Sequence, residues 1–290
     1  VQNVSFNVNK GEVHALIGEN GSGKSTLTNM LTGIYSIGSG TFILDGKEIH
    51  PKNQVEANNE GVSIIVQELG TLSGLTVAEN IFLGHEDQFV HFGIKNTNAM
   101  NKKATELLKK YGFDRIKAAD MIDNYNFEDR KLVEIVKATY FDPKVVVIDE
   151  TTTALSQEGR EELYKHMERI RKSGNTVIFI SHDLSVIKHI SDRVAVMYLG
   201  HVVEIADKKD LYDHPMHPYT VALLSAIPVP DRKHKKEKIV LEGDLPSPAN
   251  PPSGCVFHTR CYKAQEICKT QVPELKECGN GHCCACHFPE

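Results

Sequence analysis

The sequence predicts an α/β fold with a mostly parallel sheet, and two observations support this. Short apolar runs that end in polar residues recur along the chain, as expected of parallel strands buried on both faces. These runs cover residues 13–17, 61–66, 144–148 and 176–181. Segments with the helical spacing of apolar residues separate them. At 290 residues the chain is long enough for one or two domains, and we find no internal repeat.

A glycine-rich loop follows the first run and fits the pattern G-x-x-x-x-G-K-[ST]. Its glycines let the backbone turn tightly enough for N–H groups to surround a polyphosphate, and the helix that follows adds the positive end of its dipole. Lys24 is placed to reach the β- and γ-phosphates, and the Ser25 hydroxyl to ligate Mg²⁺. This context favours a nucleotide site over an ordinary turn. The candidate binding residues are Gly18, Asn20, Gly21, Ser22, Gly23, Lys24, Ser25 and Thr26.

Polar residues also follow the other strand-like runs. Asp149 and Glu150 end one run, Gln67 follows another, and His182 follows the last. Ligands of open α/β sheets bind at the carboxyl ends of the strands. Asp149 is therefore predicted to hold Mg²⁺, and Glu150 to orient or deprotonate an attacking water. The alternative, that each is an ordinary solvated residue, is weak beside the phosphate loop.

These motifs resemble those of the ATP-binding subunits of ABC transporters, over nearly all of the chain. The resemblance implies ATP as ligand, with Mg²⁺ held through Ser25, Gln67 and Asp149. It implies catalytic roles for Glu150 and for His182, which would contact the γ-phosphate. The fold expected from it is a P-loop ATPase core with an N-terminal antiparallel β segment and an inserted helical subdomain. A small Cys-rich C-terminal extension follows that core.

The same resemblance implies the domain organisation and the partners. The ATP-binding domain is expected at 1–207, with a helical subdomain at about 75–140, and the extension at 208–290. Expected partners are a second ABC ATPase subunit, two transmembrane permease subunits and, indirectly, an extracellular substrate-binding protein. The location would be the cytoplasmic face of the cell membrane, as a peripheral subunit. A net charge of −5 argues against a protein that coats nucleic acid. A membrane-spanning helix needs about 20 apolar residues, and no apolar run of the sequence approaches that length.

The signature motif departs from the family's usual Leu-Ser-Gly-Gly-Gln. Residues 125–129 read Tyr-Asn-Phe-Glu-Asp, so two carboxylates, Glu128 and Asp129, would approach a partner's triphosphate unless the loop turns them away. Asn126 could replace the serine as a hydrogen-bond donor. Ser156 stands where an aspartate is usual and is predicted to cap the next helix. We expect an asymmetric pair, in which this chain's own ATP site is complete and the site that it completes for the partner is weakened; a heterodimer is favoured over a homodimer.

Alternating apolar residues, turn residues and helical spacing predict the remaining strands and helices. Val4, Phe6 and Val8 alternate as in a strand. The family's first strand and its adenine-stacking aromatic are expected upstream of residue 1, so no stacking residue is assigned. A β segment at 40–46 ends in a turn, and the pattern from 75 to about 124 is helical with few strand signals.

Towards the C-terminus of the core, Gly174 is predicted to close a helix that ends near Lys172. Residues 193–205 are predicted to form a hairpin around 199–201, followed by a short helix at 221–227 and a charged linker at 231–238.

All seven cysteines follow residue 254. Four of them resemble the tail of oligopeptide and dipeptide importer ATPases, which can carry a [4Fe–4S] cluster; four thiolates also fit Zn²⁺, and reduced metal-free thiols are the third alternative. The predicted ligands are Cys255, Cys261, Cys268 and Cys286. The remaining thiols and nearby imidazoles leave the fourth ligand open. These are Cys278, Cys283, Cys284, His258, His282 and His287.

The two ends of the chain resemble importers of different cargo. The N-terminal two-thirds resembles sugar importer ATPases, and the part from about residue 192 resembles peptide importers, with a junction near 183–192. Because the tail is the accessory module of the peptide class, uptake of di- or oligopeptides is expected. The alternatives are a sugar importer, or a degenerate subunit that does not hydrolyse ATP and carries a metal-binding tail.

Overall fold

The computed structural model describes residues 1–66, 68–149, 155–227 and 239–290. The chain packs into two compact units. The first combines Val1–Thr28 with Thr176–Glu290, and the second is Asn29–Asn175. The predicted domain boundary at residue 207 stays a prediction.

The strands are β1 (Val13–Ile17), β2 (Phe42–Leu44), β3 (Lys47–Ile49), β4 (Val62–Ile65), β5 (Val90–His91), β6 (Ile94–Lys95), β7 (Val145–Asp149), β8 (Thr176–Ile180), β9 (Arg193–Tyr198), β10 (His201–Asp207), β11 (Lys276–Glu277) and β12 (Cys283–Cys284). The helices are α1 (Lys24–Leu31), α2 (Gln54–Glu60), α3 (Val77–Ile81), α4 (Thr97–Tyr111), α5 (Phe127–Thr139), α6 (Gln157–Lys172), α7 (Leu184–Ile190), α8 (Lys208–Asp213), α9 (Pro218–Ser225) and α10 (Glu266–Thr270). Short 3-10 turns lie at Glu86–Phe89, Ile122–Asn124 and His258–Arg260.

In the first unit, strands pair in the order β11-β12-β10-β9-β1-β8. Strands β8, β1 and β9 run parallel, whereas β9, β10, β12 and β11 pair antiparallel. Every residue of β1 and β8 is buried, as expected of parallel strands covered on both faces. The predicted strands at 13–17 and 176–181 and the hairpin at 193–205 are thus confirmed, and β12 attaches the Cys-rich tail to this sheet.

Two predictions in this unit need correction. Val4, Phe6 and Val8 do alternate in burial, but residues 1–12 form no strand, because no described strand pairs with them. Phe6 instead stacks on the ring of His14, with centroids 5.5 Å apart. The helix predicted at 221–227 begins earlier, because His217 caps it and Pro218 provides a preset first helical residue.

In the second unit, β4 and β7 form a parallel pair, which confirms the predicted runs at 61–66 and 144–148. The predicted β segment at 40–46 contains β2, which pairs antiparallel with β3 directly after it. The predicted helical insertion contains α3, α4 and α5, with Met100, Ala104 and Leu108 buried on one face of α4. It also contains a hairpin of β5 and β6 that the sequence pattern did not indicate.

Helix ends follow local chemistry as predicted. The Ser156 hydroxyl accepts from the Gly159 amide and caps α6, and the left-handed Gly174 follows that helix. Among the described residues, we find no helix with the length and apolarity required for a membrane span.

Candidate functional site

The phosphate loop connects β1 to α1, as predicted. Gly18 and Gly23 adopt backbone φ values of +149° and +99°, which residues other than glycine rarely adopt. A Cβ atom at Gly18 would lie 2.2 Å from the carbonyl oxygen of Met197 on β9. The tight turn therefore depends on glycine both for backbone conformation and for space.

Lys24 lies at the start of α1 and faces the inside of the loop. Its Nζ donates to the carbonyl oxygens of Gly18 and Glu19 at 2.9 and 3.1 Å, and only 4% of the residue is exposed. Ser25 follows on the first helical turn, half-buried, with Thr26 exposed beside it. The loop thus concentrates a lysine, helix-start amides and a hydroxyl, which is the chemistry that binds a magnesium-bound polyphosphate.

The predicted strand-end residues fall in different parts of the structure. Asp149 is buried at the end of β7 in the second unit. In the first unit, His182 is exposed between β8 and α7. Gln67 and Glu150 lie outside the described residues. The proposed magnesium set of Ser25, Gln67 and Asp149 therefore stays a prediction.

The polar side chains of the signature segment, residues 125–129, form hydrogen bonds and ion pairs within the second unit. Asn126 is the N-cap of α5, and its side-chain oxygen accepts from the Asp129 amide at 2.8 Å. Glu128 accepts from the Ser156 amide at 2.7 Å, and hydrogen bonding to Ser156 lowers the pKa of this carboxyl group. Asp129 pairs with Arg115 at 2.7 Å. The carboxylates thus have partners within their own unit, which limits the repulsion expected from the sequence.

A buried ion pair that the sequence analysis missed holds the segment around Gln67. The Nζ of Lys131 on α5 donates to the carbonyl oxygens of Val66 and Glu68 at 2.7 and 2.5 Å and to Glu134 at 2.9 Å. Glu134 also accepts from the Gly70 amide at 2.6 Å. A lysine and a glutamate three positions apart resemble a solvated helix pair in sequence, yet these residues are only 2% and 4% exposed. Their hydrogen bonds hold the backbone on both sides of Gln67 against helix α5.

The four predicted cysteine ligands come together. Cys255, Cys261, Cys268 and Cys286 line one small cavity, which His258 and His287 also line. All four thiols are free, and burial raises the pKa of Cys255 to about 11. Within the described ranges, no group of three or more His, Cys, Asp or Glu side chains is arranged to hold a single metal ion.

The remaining candidates in the tail have other surroundings. His282 lies 2.7 Å from Glu204, and both are buried, so this imidazole fastens the tail to β10. Cys284 is buried on β12, whereas Cys278 is exposed. Four of the seven cysteines thus line one cavity, and their role as metal ligands stays a prediction.

Family models match two regions of the chain. One described as "ABC transporter" matches residues 1–153, and one described as "Oligopeptide/dipeptide transporter, C-terminal region" matches residues 203–268.

Relatives at the sequence level match almost the full length. The oligopeptide transport ATP-binding protein AppF of Bacillus subtilis is 38% identical, over 99% of this chain and 89% of that protein. A putative peptide import ATP-binding protein of Brucella ovis is also 38% identical, over 99% of this chain and 90% of that protein.

Solved structures share the fold. An ABC transporter ATP-binding cassette in its ADP conformation superposes with a TM-score of 0.63 and 26% identity, over 77% of this chain and 91% of that chain. The cbiO1 protein of Clostridium perfringens, part of the ABC transporter complex cbiONQ, superposes with a TM-score of 0.60 and 27% identity. The match covers 72% of this chain and 82% of that chain.

Proposed function

The chain belongs to the ATP-binding subunits of ABC transporters, and from this we propose that it hydrolyses ATP to power the import of di- or oligopeptides. The observation that carries the proposal is a complete phosphate loop in a chain that matches peptide-import ATP-binding proteins along 99% of its length. Those relatives also cover the region that resembles sugar importers. The peptide assignment therefore does not depend on the tail alone.

We propose that this chain's residues divide the reaction as follows. The loop amides and Lys24 bind the phosphates, and the two predicted acids, Asp149 and Glu150, serve Mg²⁺ and water respectively. Water attacks the γ-phosphorus and its proton passes to Glu150, while the bond from that phosphorus to the bridging oxygen breaks and ADP leaves. His182 contacts the γ-phosphate. When bound, Mg²⁺ neutralises charge on the β- and γ-phosphate oxygens.

In the proposed assembly this chain lies at the cytoplasmic face of the membrane with a second ABC ATPase subunit, for which a different chain is favoured, and both bind two transmembrane permease subunits. The altered signature segment supports a heterodimer, since Phe127 and Glu128 replace the two glycines that usually approach a partner's nucleotide. Rapid, cooperative ATP hydrolysis by a homodimer of the purified chain would argue against that asymmetry.

ATP hydrolysis by the assembled complex tests the proposed ATPase activity. We expect Lys24→Ala to abolish ATP binding and Glu150→Gln to retain binding but lose turnover, whereas exposed Lys47→Ala on β3 serves as the matched control. Unchanged turnover in Glu150→Gln would refute the catalytic assignment and support the degenerate-subunit alternative. Uptake of labelled peptides and of labelled sugars by cells with and without the gene then distinguishes the cargo.

We further propose that Cys255, Cys261, Cys268 and Cys286 ligate a [4Fe–4S] cluster, with Zn²⁺ as the alternative. The support is that four thiols line one cavity, and four thiolates are the usual ligand set of such clusters. Iron, sulfide and zinc assays with an absorption spectrum on anaerobically purified protein test it. Cys255→Ser should lose iron, and the exposed Cys278→Ser should retain it. Zinc without sulfide would support the alternative, and a colourless, metal-free protein would refute both.

A further inference from the structure

The phosphate loop carries an acidic side chain at a position where it would oppose nucleotide binding. Glu19 directly follows Gly18, and its carboxylate belongs to the same short loop as the lysine expected to bind phosphate. One third of the Glu19 side chain is exposed. An unbalanced carboxylate at this point would repel the triphosphate.

The Cys-rich tail supplies the balancing charge. Arg260 lies on the 3-10 turn His258–Arg260, directly before Cys261. Its Nη1 donates to Glu19 Oε2 at 2.7 Å and its Nη2 to Oε1 at 3.4 Å, and its side chain is 9% exposed. Burial opposes the charged form of Arg260, but the hydrogen bonds and charge interactions with Glu19 and Tyr198 together outweigh it and raise the guanidinium pKa.

An aromatic cluster contacts both residues of this ion pair, and the Nη1 of Arg260 also donates to the Tyr198 hydroxyl at 3.5 Å. The rings of Tyr198, Tyr219 and Phe257 are fully buried, with centroids 4.7 to 5.3 Å apart. The Tyr219 hydroxyl accepts from the backbone amide of Glu19 at 2.8 Å. Backbone and side chain of Glu19 are therefore both held by residues that follow the ATPase core in sequence.

We propose that Arg260 is a positioning residue of the nucleotide site, through which the C-terminal extension neutralises Glu19 and completes the phosphate loop. This rests on the proposed function, since it requires ATP to bind at the loop. The tail would then contribute to nucleotide affinity directly, in addition to any role of its cysteines.

The proposal predicts effects of opposite sign from the two halves of one ion pair. Arg260→Gln leaves the negative charge of Glu19 uncompensated, so ATP affinity should fall by about tenfold. Glu19→Gln leaves a net positive charge, so affinity should rise, by about two- to tenfold. The double variant restores neutrality and should bind within about twofold of the unmodified chain. If the pair were only structural, breaking it from either side would weaken binding.

Calorimetric titration of the full-length purified chain with MgATP measures these affinities, at low and at high salt. Arg171→Gln is the control, because Arg171 forms a comparable ion pair with Glu168 within α6. Thermal unfolding verifies that each variant is folded, and Arg260→Lys should recover part of the affinity. No binding by the unmodified chain would refute the proposed function itself. Binding by that chain with no change in Arg260→Gln, or a loss that Glu19→Gln does not reverse, would refute the role of Arg260.

Discussion

Replacing Lys131 by methionine tests the ion pair that holds the segment around Gln67. The change keeps the length of the aliphatic chain but removes the donor to Val66, Glu68 and Glu134. Glu134 is 4% exposed, and Lys137 acts on it more weakly than Lys131 does, so without Lys131 it should take up a proton in the folded state.

The magnitude follows from that protonation. Holding a carboxyl group of ordinary pKa 4.5 protonated at pH 7 costs about 3.4 kcal/mol, since each pH unit corresponds to 1.36 kcal/mol. The two carbonyl oxygens that lose their donor add about 1 kcal/mol. We therefore expect Lys131→Met to lower the free energy of unfolding by about 3 to 5 kcal/mol at pH 7, as is typical when a buried pair is broken.

The sign of the pH dependence distinguishes this mechanism from simple loss of packing. Burial already raises the pKa of Glu134, and removal of Lys131 raises it further. Above pH 4.5 the unfolded chain releases this proton and the folded chain retains it, so stability falls as pH rises. The penalty should be small near pH 5 and grow towards pH 8.

Urea unfolding followed by circular dichroism measures the total effect, and hydrogen exchange of the Gly70 amide localises it, since that amide donates to Glu134. Lys102→Met on the exposed face of α4 is the control. The double variant Lys131→Met with Glu134→Leu should regain part of the loss. A penalty below 1 kcal/mol, or one that does not change between pH 5 and pH 8, would refute the reasoning.

Two further predictions concern the loop and the core. Gly18→Ala places a Cβ atom 2.2 Å from the Met197 carbonyl oxygen, so ATP binding should be lost, and calorimetry with wild-type affinity would contradict this. Burial lowers the pKa of His166 to about 4, so the unfolded chain binds its proton first as pH falls. Stability should therefore decline by up to about 3 kcal/mol between pH 6.5 and pH 4. His166→Phe should flatten this part of the unfolding curve, and an unchanged pH profile would argue against the assignment.

Local sequence patterns predicted the elements whose cause is local. Gly18 to Thr26 form the phosphate loop because glycine conformations and the helix start are set within nine residues. Ser156 and Gly174 mark the ends of α6 for the same reason. The alternation at residues 4–8 predicts a strand, and this prediction is wrong, because a strand also requires a pairing partner that no local pattern reveals.

The sequence by itself determined which chemical groups this protein carries: a phosphate loop, acids after strand-like runs, and seven cysteines in the tail. Only the tertiary structure decided which charged residues form ion pairs with one another. It buried Lys131 with Glu134 and placed Arg260 on Glu19, 241 positions away in sequence. The physical reason is that an ion pair depends on distance and solvent exclusion, and neither is encoded in the spacing of charges along a chain.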